Sequence, residues 1–133
     1  MKYLLDTHVF LWKIADTDKI PKKVFAATED TDNEVFVSSV SLWEIAIKTR
    51  NNKLDLGSIS NDDLIPLAKQ MGIGTIALDP EEAVTGGKLI ESTHFDPFDR
   101  MLIWQAIQRN MVLVSGDAEF KRFTSDGLKL LWK

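Results

Sequence analysis

Apolar residues recur along this chain in two rhythms: short unbroken runs rich in Leu, Val and Ile, and longer stretches in which they return every third or fourth position. The short runs predict strands buried on both faces, at Lys2–Leu5, Glu34–Ser38, Ile73–Leu78, Met111–Ser115 and Leu128–Trp132. The longer periodic stretches predict helices. Thr7–Ala15 carries Val9, Phe10, Leu11, Trp12 and Ile14, and a second helix is expected to start with Pro21 in its first position and run through Val24, Phe25, Ala26 and Ala27. Ser39 or Ser41 starts a third, bearing Leu42, Trp43, Ile45, Ala46 and Ile47 toward Arg50. Ser60 or Asn61 caps a fourth through Leu64, Ile65, Leu67 and Ala68, with Gly72 closing it. Pro80 opens a fifth, whose end is weakened by Gly86 and Gly87. Asp96 caps and Pro97 opens an amphipathic helix with Phe98, Met101, Leu102, Ile103, Ala106 and Ile107, and Ala118–Phe123 forms a helical turn or two.

Strands alternating with helices across short connections predict an α/β fold of three layers, a central, mostly parallel sheet flanked by helices. Residues 1–133 are expected to form a single domain, since no linker composition and no repeat interrupts the pattern. In such sheets ligands gather at the carboxyl ends of the strands. Four acids stand at those junctions: Asp6 after the first strand, Asp117 after the fourth, and Glu44 and Asp99 near the starts of two helices that can project over the same edge. Carboxylates collected at one edge repel unless a cation is shared among them, and an all-oxygen donor set suits hard ions such as Mg²⁺ or Mn²⁺. Such ions suit phosphodiester hydrolysis. In that chemistry Asp6 and Asp99 are expected as direct ligands of one ion, with Glu44 and Asp117 completing a second site or positioning water.

Each acid also has a plainer use. Asp6 serves equally as the cap of the helix that follows it, and Ser41-x-x-Glu44 matches a capping box unless the helix starts at Ser39, which would bury Glu44 among apolar residues without a basic neighbour. Asp96 suffices as the cap of its helix, which frees Asp99 for chemistry, and Ser115-Gly116-Asp117 also makes an ordinary turn. His8 is expected to point into the first helix, away from the sheet edge, and His94 to be an exposed loop residue rather than a phosphate contact. Trp12, Trp43, Trp104 and Trp132 are assigned to core or interface packing.

A net charge of −4 argues against a nucleic-acid partner, but bound metal would neutralise several acids, and basic clusters remain at Lys22 and Lys23, at Lys48, Arg50 and Lys53, and at Lys121 and Arg122. The absence of cysteine excludes disulfides, thiolate metal sites and thiol nucleophiles. Asp6 and His8 interrupt the first apolar run before it could act as a signal-peptide core or a membrane span, so a soluble, cytoplasmic protein is expected.

The segments LLDTHVFLW, VSSVSLWEIAIK, HFDPFDRMLIWQA and LVSGD, in that order and spanning nearly the whole chain, resemble the PIN domain family, and within it the VapC-type toxins of bacterial toxin–antitoxin pairs. The resemblance implies a Mg²⁺- or Mn²⁺-dependent endoribonuclease whose acidic quartet maps onto Asp6, Glu44, Asp99 and Asp117. It also implies a homodimer and a small VapB-like antitoxin that wraps the toxin and blocks its site. One departure is Gly116, where relatives often carry a basic residue before the fourth acid. Two other readings fit less well. A catalytically inactive PIN-like binding module has no need of four mutually repelling carboxylates. Phosphotransfer enzymes on similar sheets need a second Asp where this chain has His8, or a lysine after the last central strand, where it has none.

Overall fold

Asp6, directly after the first strand, sits at the centre of the molecule's only sheet. The computed structural model describes residues 1–133. In chain order it contains β1 (Lys2–Leu5), α1 (Thr7–Ala15), α2 (Lys22–Glu29), β2 (Glu34–Ser38), α3 (Ser39–Arg50), α4 (Leu64–Gln70), β3 (Ile73–Ile76), α5 (Pro80–Thr85), α6 (Pro97–Gln108), β4 (Val112–Val114) and β5 (Lys129–Leu131). Single 3₁₀ turns lie at Thr17–Lys19, Asn61–Asp63 and Gly86–Lys88, and a longer 3₁₀ segment spans Ala118–Asp126. The strands run in the order β3-β2-β1-β4-β5. Every pair is parallel, with Leu5 in register with Val37 on one side and Val114 on the other. The chain moves outward from β1 to β3, then returns to pair β4 with the other side of β1. The β1–β4 boundary is therefore the point where the strand order reverses, and there the loops leaving the two strands diverge and open a crevice.

Period-two alternation along the strands fills two cores. Tyr3, Leu5, Val35, Val37, Val112 and Val114 pack on one face with Val9 and Phe10 of α1, Val24 of α2, Ile45 of α3 and Ala68 of α4. Leu4 and Leu113 pack on the other with Ile103, Trp104 and Ala106 of α6 and with Phe120 and Phe123. Strands covered on both sides explain why they appear as unbroken apolar runs. No helix is long and apolar enough to cross a membrane.

Several boundaries differ from expectation for identifiable reasons. The third strand stops at Ile76 because the Ala77 carbonyl accepts from Gln105 Nε2 at 3.2 Å and Arg109 Nη2 at 2.8 Å instead of from a strand. Pro21 has extended geometry (φ −57°, ψ 145°) and precedes α2 as its cap position, so the helix begins at Lys22. The expected turn after Asp117 continues to Asp126 as 3₁₀ helix and ends at Gly127, whose φ of +99° favours a residue without Cβ. Asp96 and Pro97 act as expected at the start of α6.

Candidate functional site

Asp6 takes the capping role that its position allowed. Its Oδ1 accepts from the Val9 amide at 2.8 Å, capping α1, and its own amide donates to the Val114 carbonyl at 3.0 Å, tying it to the end of β4. The residue is 5% exposed. Burial pushes its pKa up, and the neighbouring Asp117 charge adds to that, while the Ser115 hydroxyl, the Val9 amide and nearby His8 oppose it. The His8 ring is exposed and lies 6.1 Å from the Trp12 ring on the same helix. Buried Ser115 acts on two acids: its hydroxyl favours the ionised Asp6 carboxyl, and its Oγ accepts from the Asp117 amide at 3.1 Å. Asp117 is exposed and caps the following 3₁₀ segment through the Glu119 amide, at 2.9 Å.

Glu44 lies well inside α3, because the helix is capped by Ser38, whose hydroxyl accepts from the Val40 amide at 3.0 Å. A capping box between Ser41 and Glu44 is thereby ruled out. Glu44 is 3% exposed. The expectation that it lacks a basic neighbour is corrected: Lys48, one turn on, places Nζ 2.5 Å from its Oε2. The other oxygen accepts from Thr7 Oγ1 at 2.7 Å, and Thr7 Oγ1 shares a second hydrogen bond with buried Ser41 at 2.9 Å. Lys48 is held protonated more firmly than usual, first by its bond to Glu44 and further by the charges of Asp96 and Asp99.

Asp99 stands in the first turn of α6. Asp96 does the capping, with Oδ1 accepting from the Phe98 and Asp99 amides at 2.9 and 3.0 Å. The Asp99 carboxyl is pushed up to about 6, chiefly by burial and further by Asp96 and Glu44, against the lowering effect of His94. His94 Nε2 lies 2.9 Å from Asp99 Oδ2. This imidazole is not the exposed loop group expected: it meets Phe120 and Phe123 edge-on at 5.8 Å each. Arg100 Nη1 donates to the His94 and Glu91 carbonyls, at 2.9 and 2.7 Å, and fixes the loop that carries it.

The four acids therefore fall into two electrostatic pairs. Asp6 feels Asp117, and Asp99 feels Glu44. The pairs are joined where Thr7, next to Asp6, donates to Glu44. No three His, Asp or Glu side chains are close enough to hold one ion as they stand. The donors are nonetheless all oxygen, and burial leaves Asp6 and Asp99 short of positive charge, which is the chemistry a hard divalent cation fits. A cavity of about 510 Å³ around Asn52–Asn61 includes none of the four acids.

Behind the site, Ser38 Oγ donates to Gln105 Oε1 at 2.5 Å, and Gln105 Nε2 donates to Glu82 Oε1 at 3.0 Å. Arg109 Nε donates to Glu82 Oε2 at 2.8 Å, and these contacts hold the Glu82 carboxyl down at about 2, Arg109 being the main cause. Sequence reasoning gives no site role to Thr7, Ser38, Gln105, Glu82 or Arg109, and weighs Ser41 only as a cap and Lys48 only as part of a basic cluster. The Glu44-x-x-x-Lys48 spacing was the available signal for one of them. Among the tryptophans, Trp104 is buried and Trp12 packs on Trp132 at 5.8 Å. Trp43 is not core: it is 62% exposed, edge-on to Phe98 at 5.6 Å beside the Glu44–Asp99 pair.

Among solved structures, the fold is similar to a VapBC2 complex from Rickettsia felis bound to a DNA fragment from its promoter, with a TM-score of 0.73, 19% identity and all of both chains covered. It is also similar to VapBC-1 from nontypeable Haemophilus influenzae, with a TM-score of 0.68, 16% identity and 98% and 97% of the two chains covered. In sequence the chain is 29% identical over 118 residues to Ribonuclease VapC22 of Mycobacterium tuberculosis, covering 89% of this chain and 88% of that protein. The profile of the PIN domain matches residues 3–125, so the chain belongs to the PIN domain family.

Proposed function

We propose that this protein is a Mg²⁺- or Mn²⁺-dependent endoribonuclease and the toxin of a type II toxin–antitoxin pair. The observation that carries the reading is the position of Asp6 and Asp117 at the ends of the two strands where the sheet order reverses, with Asp117 acting electrostatically on Asp6, Glu44 bonded to Thr7, and Asp99 in electrostatic reach of Glu44. Similarity to a protein named as a ribonuclease supports RNA as substrate, and similarity to VapBC complexes supports a small VapB-like antitoxin.

Asp6, Glu44, Asp99 and Asp117 would hold the cation. When bound, the ion supplies positive charge against the phosphodiester and acidifies water beside it. The chain's own residues prepare the place. The Val9 amide fixes one oxygen of the Asp6 carboxyl, and Thr7 holds one oxygen of Glu44 while Lys48 neutralises the other. His94 orients Asp99 through one oxygen and leaves the second free. The exposed apolar residues Trp43, Phe95 and Ile90 suit contact with an antitoxin or a second copy of the chain, in a cytoplasmic homodimer.

Asp6→Asn and Asp99→Asn test the proposal. Each is expected to abolish cleavage of RNA in Mg²⁺, as chelator does in the parent protein, and undiminished cleavage in both variants would overturn it. One observation favours an inactive binding module instead: Lys48 and His94 already pair with two of the four acids. Calorimetry separates the readings, because a scaffold of this kind takes up no divalent ion.

A further inference from the structure

Resting on the ribonuclease reading, we propose that the cavity beside Asp117 is a subsite for one nucleotide of a single-stranded RNA, adjoining the phosphodiester that is cut. The cavity measures about 280 Å³ and lies between the exits of β4 and β5, with Asp117, Lys121, Trp132 and Lys133 in its walls. That volume is at the small end for ligand sites, enough for one nucleotide unit and no more.

Three features give it this chemistry. The first is charge: RNA must approach four carboxylates on a chain of net charge −4, and each phosphate needs a cationic partner. Lys121 and Lys133 line the same hollow as Asp117, and neither is held in an ion pair. Lys48, beside Glu44, is already committed to that carboxylate.

The second feature is an aromatic wall. Trp132 forms one side of the cavity and is steadied from behind by Trp12, whose ring centre lies 5.8 Å away. Indole walls suit nucleobases of any identity, because every base presents a π-face. The third is a glycine that brings the wall against the reacting edge. A Cβ at position 116 would lie 2.8 Å from Trp132 Cε2 and 2.9 Å from Cζ2, so only glycine lets the indole pack against the backbone directly before Asp117. A base on that wall and a phosphate between the lysines place the next phosphodiester over the carboxylates.

The test measures affinity for a short mixed-sequence single-stranded RNA by fluorescence anisotropy in chelator, where cleavage does not interfere. The double variant Lys121→Ala/Lys133→Ala is expected to lose at least tenfold in affinity and to show a shallower salt dependence, by about 0.7 in log–log slope for each phosphate contact removed. Trp132→Phe, which keeps an aromatic packing partner for Trp12, is expected to retain the salt slope and lose several-fold in affinity. Lys22→Ala/Lys23→Ala, which removes the same charge from exposed positions on α2, is expected to stay within twofold. Equal losses in the two double variants, or unchanged affinity in Lys121→Ala/Lys133→Ala, would overturn the subsite. Failure of the parent protein to bind or cut any RNA would instead overturn the ribonuclease reading on which it rests.

Discussion

The imidazole of His94 and the carboxyl of Asp99 meet through a single hydrogen bond of 2.9 Å, between Nε2 and Oδ2, five residues apart across the start of α6. The ring is held edge-on by Phe120 and Phe123 from the core beneath, so it acts as a fixed stop for the carboxyl. His94 and Asp99 thus form a relationship of the kind found behind metal ligands, in which an outer partner sets the direction of the inner one.

Removing that stop has a definite electrostatic consequence. Burial drives the Asp99 carboxyl upward, and His94 opposes it both by hydrogen bond and by charge. His94→Ala is therefore expected to raise the Asp99 pKa above its present value of about 6. Carboxyl-carbon NMR titration of the metal-free protein reads this directly. A pKa that falls in the variant would show that His94 does not stabilise the ionised form.

Stability of the metal-free protein should fall as pH rises toward the Asp99 pKa of about 6. Asp99 titrates at about 6 when folded against an ordinary 3.8, so the folded state binds more protons between these values, and ionisation there favours unfolding. Asp6, also raised, acts in the same direction. The full shift would correspond to about 3 kcal/mol. Partial solvent access to Asp99 reduces the expected loss to about 1–2 kcal/mol. Glu82 has the opposite sign: held at about 2 against 4.5, it contributes stability above pH 4.5 that is lost as pH falls toward 2. Urea midpoints in chelator should therefore peak near pH 4.5 and decline toward 6.5, and added Mn²⁺ should flatten the decline. A midpoint that climbs over that interval would contradict the assignment.

Gln105 is expected to be the most costly polar residue to remove behind the site. It is fully buried, and its amide joins Ser38, the Ala77 carbonyl and Glu82. Gln105→Ala leaves the Ser38 hydroxyl without its acceptor, takes one donor each from the Ala77 carbonyl and Glu82, which keep Arg109, and opens a small cavity, a loss of about 2–4 kcal/mol. Because Ser38 caps the helix that carries Glu44, the same variant should weaken divalent-ion binding, which a surface control such as Glu81→Ala should not. Chemical denaturation together with Mn²⁺ calorimetry checks both effects.

The legible and illegible parts of this chain divide along a physical line. The buried strands and the amphipathic α6 were readable because their periodicity is local, and Asp96 with Pro97 announced the start of α6 in two adjacent residues. The sequence pattern carries the Ile73 strand past its end because what ends it, Gln105 and Arg109 reaching the Ala77 carbonyl, comes from about thirty residues away. His94 was misjudged for the same reason, since the aromatic edges that bury it belong to Phe120 and Phe123. Gln105 and Glu82 gave no local sign of pairing. Lys48 is the exception, because its four-residue spacing from Glu44 needed no tertiary information to suggest the pair.

That pair supports a final prediction about how the protein manages without a cation. Glu44 is nearly inaccessible to solvent, whereas the Lys48 side chain is 37% exposed, so the lysine spans the gap between a buried charge and water. Lys48→Met keeps the aliphatic stem and removes the charge, which leaves the Glu44 carboxylate without a cationic partner and with the Thr7 hydroxyl as its remaining donor. A fully buried broken pair costs about 3–5 kcal/mol, and the solvent access of Lys48 lowers the expectation to about 1–2 kcal/mol. Mn²⁺ binds the folded state alone and can take over the missing charge, so it should restore more stability to the variant than to the parent. In thermal melts the Mn²⁺-induced rise in Tm should be several degrees larger for Lys48→Met. An equal rise in both proteins would mean that Glu44 does not take part in holding the ion, and would remove one of the four carboxylates from the proposed site.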